Sequence, residues 1–372
     1  MDQRYHREQE GESRNTRAPP TTTEKVYMGI ALAQAIIEVA IVFTVFGLAV
    51  ANVPVPVGKA KTVPVYLAIF IMGQLFCVLY IWDALRHRNV VQLFLQLWFQ
   101  LSILTYAILQ IPQSYNALDE LDDERCGAFA RCEGPGSLFN VLRSLLIVTP
   151  IIMGLAGIAF IFLARRIYIQ FGWAEFHLVS ASPEMRLYSP PNIRPAQDPW
   201  MHRQYQTFVS LLKMQLFFST AFCLAFLVLV AIGTSQTTEL VLASVALPLN
   251  IVVVILAAFV VRREIKWLMG LVLVLMLVCL AYFIYKLASM FLPATGFLYI
   301  NTKITMALFS AFAIIMLVVT LVFGFICISN FDKGLAVALQ KKTSALPEKV
   351  QAQEQRMDLL ETPPSDSGPQ IA

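Results

Sequence analysis

ELVLASVALPLNIVVVILAAFVVRREIKWLMGLVLVLMLVCLAYFIYKL, residues 239–287, is the segment that decides the fold class of this chain. It contains two apolar runs, 239–260 and 265–287, joined by the short charged sequence VRREIK. A helix rises 1.5 Å per residue, so about 20 apolar residues cross the roughly 30 Å hydrocarbon layer of a bilayer. Because so short a connection brings the two runs side by side, they predict an antiparallel pair of transmembrane helices.

The rest of the chain repeats this pattern. Six further apolar runs of similar length occupy residues 26–50, 64–83, 90–111, 139–163, 206–232 and 303–328. Only 14% of the residues are charged, against about 25% in soluble domains. The runs are continuous and lack the strict alternation of membrane β-strands, which excludes a β-barrel. We therefore predict an all-α membrane protein with about eight transmembrane helices.

Positive charge is distributed unevenly between the two sides of these predicted spans. In multi-pass proteins, lysine and arginine accumulate in the cytoplasmic loops. Twenty of these residues fall on one side, and seven at most on the other. The richer side comprises the N-terminal tail, the 84–89 turn, the 164–205 segment, the 261–266 turn and the C-terminal tail. Both termini and the long central loop are therefore predicted to be cytoplasmic.

This orientation divides the chain into five parts. Residues 1–25 and 329–372 are polar and mixed in charge, which predicts disordered cytoplasmic tails. Residues 26–163 and 206–328 form two four-helix halves, with the cytoplasmic loop 164–205 between them. The luminal loops are short, and the most acidic of them is 112–138.

That acidic loop carries the sequence DERCGAFARCEG, residues 123–134, with Cys126 and Cys132. Luminal thiols meet an oxidising environment, so a Cys126–Cys132 disulfide is one prediction. Two unpaired thiols in a mobile loop are the alternative, and the sequence leaves both open. A zinc site is disfavoured, because two thiols without a nearby histidine supply too few ligands. The remaining four cysteines, Cys77, Cys223, Cys279 and Cys327, lie in apolar runs.

Glu38 is an ionisable residue near the middle of the first apolar run. A charged side chain at that depth costs roughly 3 kcal/mol, and such residues usually serve a function. Gln34 lies one turn earlier on the same helix face, so the pair predicts a polar intramembrane site. The alternative is that Glu38 only joins helices through a hydrogen bond. The same two interpretations, a polar pathway or hydrogen bonds between helices, apply to other amides in the apolar runs: Gln74, Gln96, Gln100, Gln215 and Asn250.

Residues near the cytoplasmic helix ends predict contacts with the membrane surface. The sequence ARRIYIQFGWAEFHL, residues 164–178, continues the helical spacing of the fourth run, with Phe171, Gly172 and Trp173 as an interfacial segment. Arg262 and Arg263 are candidates for contacts with lipid headgroups. Lys213 lies inside the fifth run and is expected to extend toward the interface.

Catalytic signatures are absent from the sequence. It contains no P-loop, no dinucleotide-binding glycine motif, no HExxH and no GxSxG. We therefore expect no catalytic residue, no cofactor and no metal site. The net charge of +4 is too small to indicate a nucleic-acid partner.

Three segments carry a resemblance to a known family. They are Phe171-Gly172-Trp173, RQYQTFVSLLKMQLFF at 203–218 and ALPLNIVVVILAAFVVRRE at 246–264. With the spacing of the runs over roughly 26–330, the chain resembles the uncharacterised fungal Golgi apparatus membrane proteins. The resemblance implies a Golgi or related endomembrane location and no established activity.

Two functional hypotheses follow. The first is a non-enzymatic protein of the secretory pathway with a sorting, scaffold or trafficking role. Its partners would be membrane lipids, together with cytoplasmic proteins bound through 164–205 and the tails. The second is a transporter or lipid-handling protein that uses Glu38 and the glutamines inside the helix bundle.

Overall fold

The computed structural model describes residues 20–52, 62–119, 138–180, 199–227, 237–292 and 303–331. These residues form eight α-helices: α1 (Thr22–Asn52), α2 (Thr62–His87), α3 (Val90–Asp119), α4 (Leu138–Ser180), α5 (Pro199–Phe226), α6 (Thr237–Arg263), α7 (Lys266–Ser289) and α8 (Lys303–Ser329). Each contains a segment long and apolar enough to cross a membrane. The prediction of an all-α protein with eight transmembrane helices is confirmed.

Several helices are longer than the apolar runs that predicted them. The fourth helix has 43 residues, and at 1.5 Å per residue it is about 65 Å long, roughly twice the hydrocarbon thickness. The third helix extends through residue 119, and the fifth begins at residue 199. The described ends of the predicted 112–138 and 164–205 loops are therefore helical.

Two tight turns join neighbouring helices, one between α2 and α3 and one between α6 and α7. In each turn a single non-glycine residue adopts the left-handed conformation, Arg88 with φ 50° and Glu264 with φ 53°. Asn89 then caps α3, since its Oδ1 accepts hydrogen bonds from the backbone N–H groups of Val91 and Gln92 at 3.1 and 3.3 Å. These connections produce the antiparallel hairpins that the short charged sequences predict.

Each half of the chain forms a closed ring of four helices. In the first bundle, α1–α4, each helix packs against the next and α4 returns to α1. The second bundle, α5–α8, repeats this neighbour order, and α8 returns to α5. The two bundles therefore share the same order of neighbouring helices, although their sequences show no convincing match.

The seam between the bundles is built mainly on α5, which contacts both α2 and α3. Within its most apolar window 78% of α5 is buried, against 28–50% for the other helices. Phe217 of α5 lies 4.9 Å from the Phe76 ring and 4.8 Å from the Phe99 ring, centroid to centroid. Such ring contacts bury large apolar surfaces, so the middle of the seam is filled with aromatic side chains.

The outer surface of the structure is apolar. Ile36, Leu155 and Phe162 have 68%, 64% and 67% of their surface exposed, as expected for side chains that face lipid. Helix packing in lipid depends on close contact and internal hydrogen bonds, because lipid is as apolar as the helix surface. Polar side chains within the membrane therefore lie mainly inside the bundles, where they can form hydrogen bonds.

A glycine permits close packing within the second bundle. A Cβ at Gly324 of α8 would lie 2.6 Å from Leu273 Cδ2 and 3.3 Å from Phe208 Cε2. These two neighbours belong to α7 and α5. The missing side chain therefore allows three helices to meet at this level.

Candidate functional site in the first bundle

A layer of glutamine side chains joins the helices of the first bundle. Gln34 of α1 and Gln100 of α3 form a reciprocal amide pair, with Nε2–Oε1 distances of 3.1 and 3.4 Å. Gln34 Nε2 also donates to Gln74 Oε1 of α2 at 3.3 Å, and Gln100 Nε2 donates to the Met153 carbonyl of α4 at 3.1 Å. The glutamine layer, Gln34, Gln74 and Gln100, therefore connects all four helices.

Helical spacing and a glycine position this layer. Gln96 lies one turn before Gln100, and its Oε1 accepts a hydrogen bond from the Tyr27 hydroxyl at 2.5 Å. Its Nε2 donates to Cys77 Sγ at 3.8 Å. Gly157 of α4 faces Gln100, since a Cβ there would contact Gln100 Cγ at 3.6 Å. The glutamine layer and the neighbouring Gln96 therefore all have hydrogen-bond partners.

Glu38 differs from the glutamines in its surroundings. It lies one turn beyond Gln34 on α1 and is completely buried. Both carboxylate oxygens are buried, and neither makes a hydrogen bond. The Thr149 hydroxyl of α4 lies beside the carboxyl, but the geometry between them does not meet the requirements of a hydrogen bond. A carboxyl that only joined two helices would have a partner, because a buried polar group without one costs about 1–3 kcal/mol.

The α4 backbone beside Thr149 has a carbonyl without its helical donor. Pro150 lies inside α4 and has no N–H, so the Leu146 carbonyl lacks its usual helical donor. Leu146 and Thr149 are three residues apart, which places them on the same face of the helix. The candidate site therefore combines the Glu38 carboxyl and the Thr149 hydroxyl next to the glutamine layer, and the Leu146 carbonyl is on the same face of α4 as Thr149.

Thr149 was not singled out by the sequence. A threonine in an apolar run is common, and its hydroxyl often bonds to its own helix backbone. The adjacent Pro150 is the signal that could have drawn attention to it, since a proline in a membrane helix leaves a backbone carbonyl without a donor.

A polar cluster closes one end of the seam between the bundles. Asp83 of α2 forms an ion pair with Lys213 of α5 and accepts a hydrogen bond from Gln92 Nε2 of α3 at 2.7 Å. Nearby, Asn89 Nδ2 donates to Ser210 Oγ at 2.9 Å. We call these five residues the seam clamp. Sequence reasoning gave Lys213 only an interfacial position; the available signal was an opposite charge, Asp83, at a similar depth in another run.

The other end of the seam is also polar. The side chains of Gln113 on α3 and Thr305 on α8 exchange hydrogen bonds, with atoms 2.5 and 2.7 Å apart. The seam is therefore held by polar contacts at both ends and by aromatic packing between them. The Glu38 site lies apart from this seam, in the interior of the first bundle.

Comparison with known proteins gives a relative by sequence. No protein-family model and no solved structure matches the chain. A UPF0658 Golgi apparatus membrane protein of Schizosaccharomyces pombe is 23% identical over 288 residues, which cover 74% of this chain and 77% of the relative. This chain is similar to an uncharacterised fungal Golgi apparatus membrane protein. The resemblance drawn from the sequence is confirmed, and the chain is a multi-pass membrane protein of the Golgi type.

The remaining amides of this Golgi-type protein lie outside the glutamine layer. Gln215 of α5 and Asn250 of α6 are buried in the second bundle. Gln215 Oε1 and Asn250 Nδ2 make no hydrogen bond. The structure therefore brings Gln34, Glu38, Gln74, Gln96 and Gln100 together in one bundle and leaves these two in the other.

The predicted membrane-surface residues have different surroundings. Arg262 and Arg263 are exposed at the end of α6, and the Arg263 guanidinium lies 5.7 Å from the centre of the Phe259 ring. Phe171 is buried, with the Arg88 guanidinium 5.9 Å from its ring centre. Gly172 and Trp173 continue α4.

The cysteines do not form a site in the described part of the chain. Cys126 and Cys132 lie outside the described residues, so the disulfide stays a prediction, as do the disordered tails. The four described cysteines, Cys77, Cys223, Cys279 and Cys327, are free thiols. Among the described ranges, no group of three or more His, Cys, Asp or Glu residues is arranged to hold a metal ion.

Proposed function

We propose that this Golgi-type protein is a transporter or lipid-handling protein that binds a polar or charged group at Glu38. The observation that carries the proposal is the completely buried Glu38 carboxyl, whose two oxygens have no hydrogen-bond partner. A polar group left in that state lowers stability, and such a cost is usually retained where a ligand or reaction needs the group.

The contrast with the neighbouring amides supports this proposal. Gln34 and Gln100 already satisfy one another and connect the helices. The bundle therefore has its hydrogen-bonded contacts without the help of Glu38. The Glu38 carboxyl, one turn away and beside Thr149, makes no hydrogen bond that joins helices. It can instead bind a positive charge or accept a hydrogen bond from a polar headgroup.

The location of the site indicates how a ligand would reach it. In many carriers the substrate lies between two repeats that move against one another. Here the seam is filled by aromatic rings such as Phe76, Phe99 and Phe217, and its ends are joined by polar contacts. We therefore place the ligand path within the first bundle, where Glu38 of α1 faces Thr149 of α4.

Flux measurements with purified protein in liposomes test this function. We expect proton or solute flux in the wild type and its loss in Glu38→Gln, which keeps the shape of the side chain but cannot carry the negative charge. Gln215→Met is the matched control, because it removes another buried polar group that lies on a different helix, outside the glutamine layer. Wild-type flux in Glu38→Gln would contradict the proposal.

A sorting or scaffold role is the second candidate, and the exposed basic helix ends favour it. Arg165, Arg166, Arg203, Arg262 and Arg263 are all exposed. With both termini on the cytoplasmic side, these residues would meet anionic headgroups and cytoplasmic proteins near residues 164–205 and the tails.

Topology mapping and crosslinking test this second candidate. Glycan tags at both termini should stay unmodified and a tag near residue 124 should be modified, if the termini are cytoplasmic. Crosslinked partners should then be recovered through the central segment and the tails of the full chain. Modification of either terminus would overturn the orientation and with it the proposed cytoplasmic surface.

A further inference from the structure

We propose that the Glu38 site exchanges one proton for one monovalent metal cation. This inference rests on the proposed function, in which Glu38 is the ligand-binding group of the first bundle. It goes further by naming the ligand class, and its basis is the count of charges and oxygen atoms around the carboxyl.

The charge of the site is set by a single carboxylate. Glu24, the next acid on α1, is 14 residues away, about 21 Å along the helix. On α2 the acid is Asp83, which is paired with Lys213 near the far end of the helix. On α4, Arg143 lies six residues from Thr149, about 9 Å along the helix, and is exposed. Among the described residues, then, Glu38 supplies the one negative charge at this level.

More distant charged groups on the packed helices do not alter that count. Lys25 on α1, Arg86 on α2, and Arg165 and Arg166 on α4 are all exposed, near the helix ends that carry the seam clamp. Charges in water around a helix end act weakly on a buried site, because solvent and salt screen them. Charge balance at Glu38 therefore has to be achieved locally.

A low-dielectric interior strongly favours local neutrality. One proton neutralises the carboxylate, and so does one monovalent cation. A divalent cation would leave one uncompensated positive charge among apolar side chains. The site should therefore discriminate by charge, and the proton and the monovalent cation should compete for the same oxygens.

The surrounding atoms suit a hard cation. Glu38 contributes two carboxylate oxygens without hydrogen-bond partners, and Thr149 contributes a hydroxyl oxygen. The Leu146 carbonyl, which lacks its helical donor, is on the same face of α4 as Thr149. Oxygen ligands are those that hard cations prefer. The exchange is balanced: M⁺ and the protonated Glu38 carboxyl give the Glu38 carboxylate with bound M⁺, and one H⁺ is released.

Chemical labelling of the detergent-solubilised full chain tests the exchange independently of flux. A hydrophobic carbodiimide adds to a protonated carboxyl in an apolar environment and leaves a stable adduct that mass spectrometry locates. We expect an adduct on Glu38 in choline chloride. By mass action, Na⁺, K⁺ or Li⁺ at about ten times its half-protection concentration should lower labelling about tenfold at constant ionic strength. Mg²⁺ and Ca²⁺ should protect far less.

Three variants control the assignment. Glu38→Gln should lose the adduct on this residue, and Glu24→Gln should leave both the adduct on Glu38 and its protection by monovalent cations unchanged. Thr149→Val should weaken cation protection and leave labelling in choline intact, because it removes a cation ligand and keeps the acid.

The outcomes separate this inference from the proposed function. An adduct on Glu38 that no small cation reduces would overturn the exchange and leave a polar-ligand site in place. Equal protection by Ca²⁺ and Na⁺ would refute the charge argument. No adduct on Glu38 at any pH would overturn the exchange. The proposed function is tested separately, by whether flux is lost in Glu38→Gln.

Discussion

Replacing Glu38 by methionine should stabilise the folded protein, whereas the same replacement of Gln34, one turn away, should destabilise it. Both side chains are buried, and they lie on the same face of α1. They differ in their hydrogen bonds, since Gln34 bonds to α2 and α3 while the Glu38 oxygens have no partner. The two substitutions therefore change side-chain volume in a similar way. Glu38→Met removes an unsatisfied polar group, whereas Gln34→Met removes hydrogen bonds between helices.

The magnitudes follow from those contacts. An unsatisfied buried polar group costs about 1–3 kcal/mol, and an apolar side chain of similar size removes that cost. Glu38→Met should therefore raise the free energy of unfolding by about 1–3 kcal/mol. Hydrogen bonds between membrane helices contribute about 0.6 kcal/mol on average, so Gln34→Met, which breaks several, should lower it by about 1–2 kcal/mol. Glu38→Gln keeps a polar group in place and should lie close to the wild type.

Unfolding in mixed micelles measures these differences. Increasing the proportion of denaturing detergent and following tryptophan fluorescence gives a midpoint for each purified variant. The expected order of midpoints is Glu38→Met highest, wild type and Glu38→Gln together, and Gln34→Met lowest. If Glu38→Met were as destabilised as Gln34→Met, the carboxyl would be a hydrogen-bonded packing contact, and the reasoning that makes it a binding group would fail.

Three further outcomes are expected. In a double-mutant cycle, Asp83→Asn and Lys213→Met should show a coupling of about 1–2 kcal/mol in the same unfolding assay, since the pair is only partly exposed; additive effects would refute a stabilising ion pair. Gly324→Val should lower the unfolding free energy by about 1–3 kcal/mol through overpacking, and an unchanged midpoint would contradict the close contact. Labelling of Cys126 and Cys132 should rise after reduction; labelling that reductant does not change would exclude the disulfide.

The helices could be predicted from the sequence because their length and apolar character depend on each segment alone. The hairpins followed from the short connections 84–89 and 261–266. The neighbour order of the rings could not be predicted. A membrane helix is apolar both toward lipid and toward other helices, so its sequence hardly distinguishes the two faces. The central position of α5 is therefore known only from the structure.

The candidate site was predicted in part for the same reason. Glu38 and Gln34 stand out because polar residues are rare in apolar runs, and their shared face follows from helical spacing. Their partners depend on which helices are adjacent, so Thr149 of α4 and the pairing of Gln34 with Gln100 could not be derived. The pairing of Asp83 with Lys213 likewise depends on α5 reaching α2 across the seam.

The closed rings have a consequence for biosynthesis. By the time the translocon has released α4, the nascent chain already holds every partner that α1 needs, including the amides of α2 and α3. The amino-terminal bundle can therefore assemble while the ribosome is still translating the second, and its glutamine layer is complete before α5 emerges. The seam contacts form last, when the aromatic and polar groups of α5 and Thr305 of α8 dock against this preformed surface.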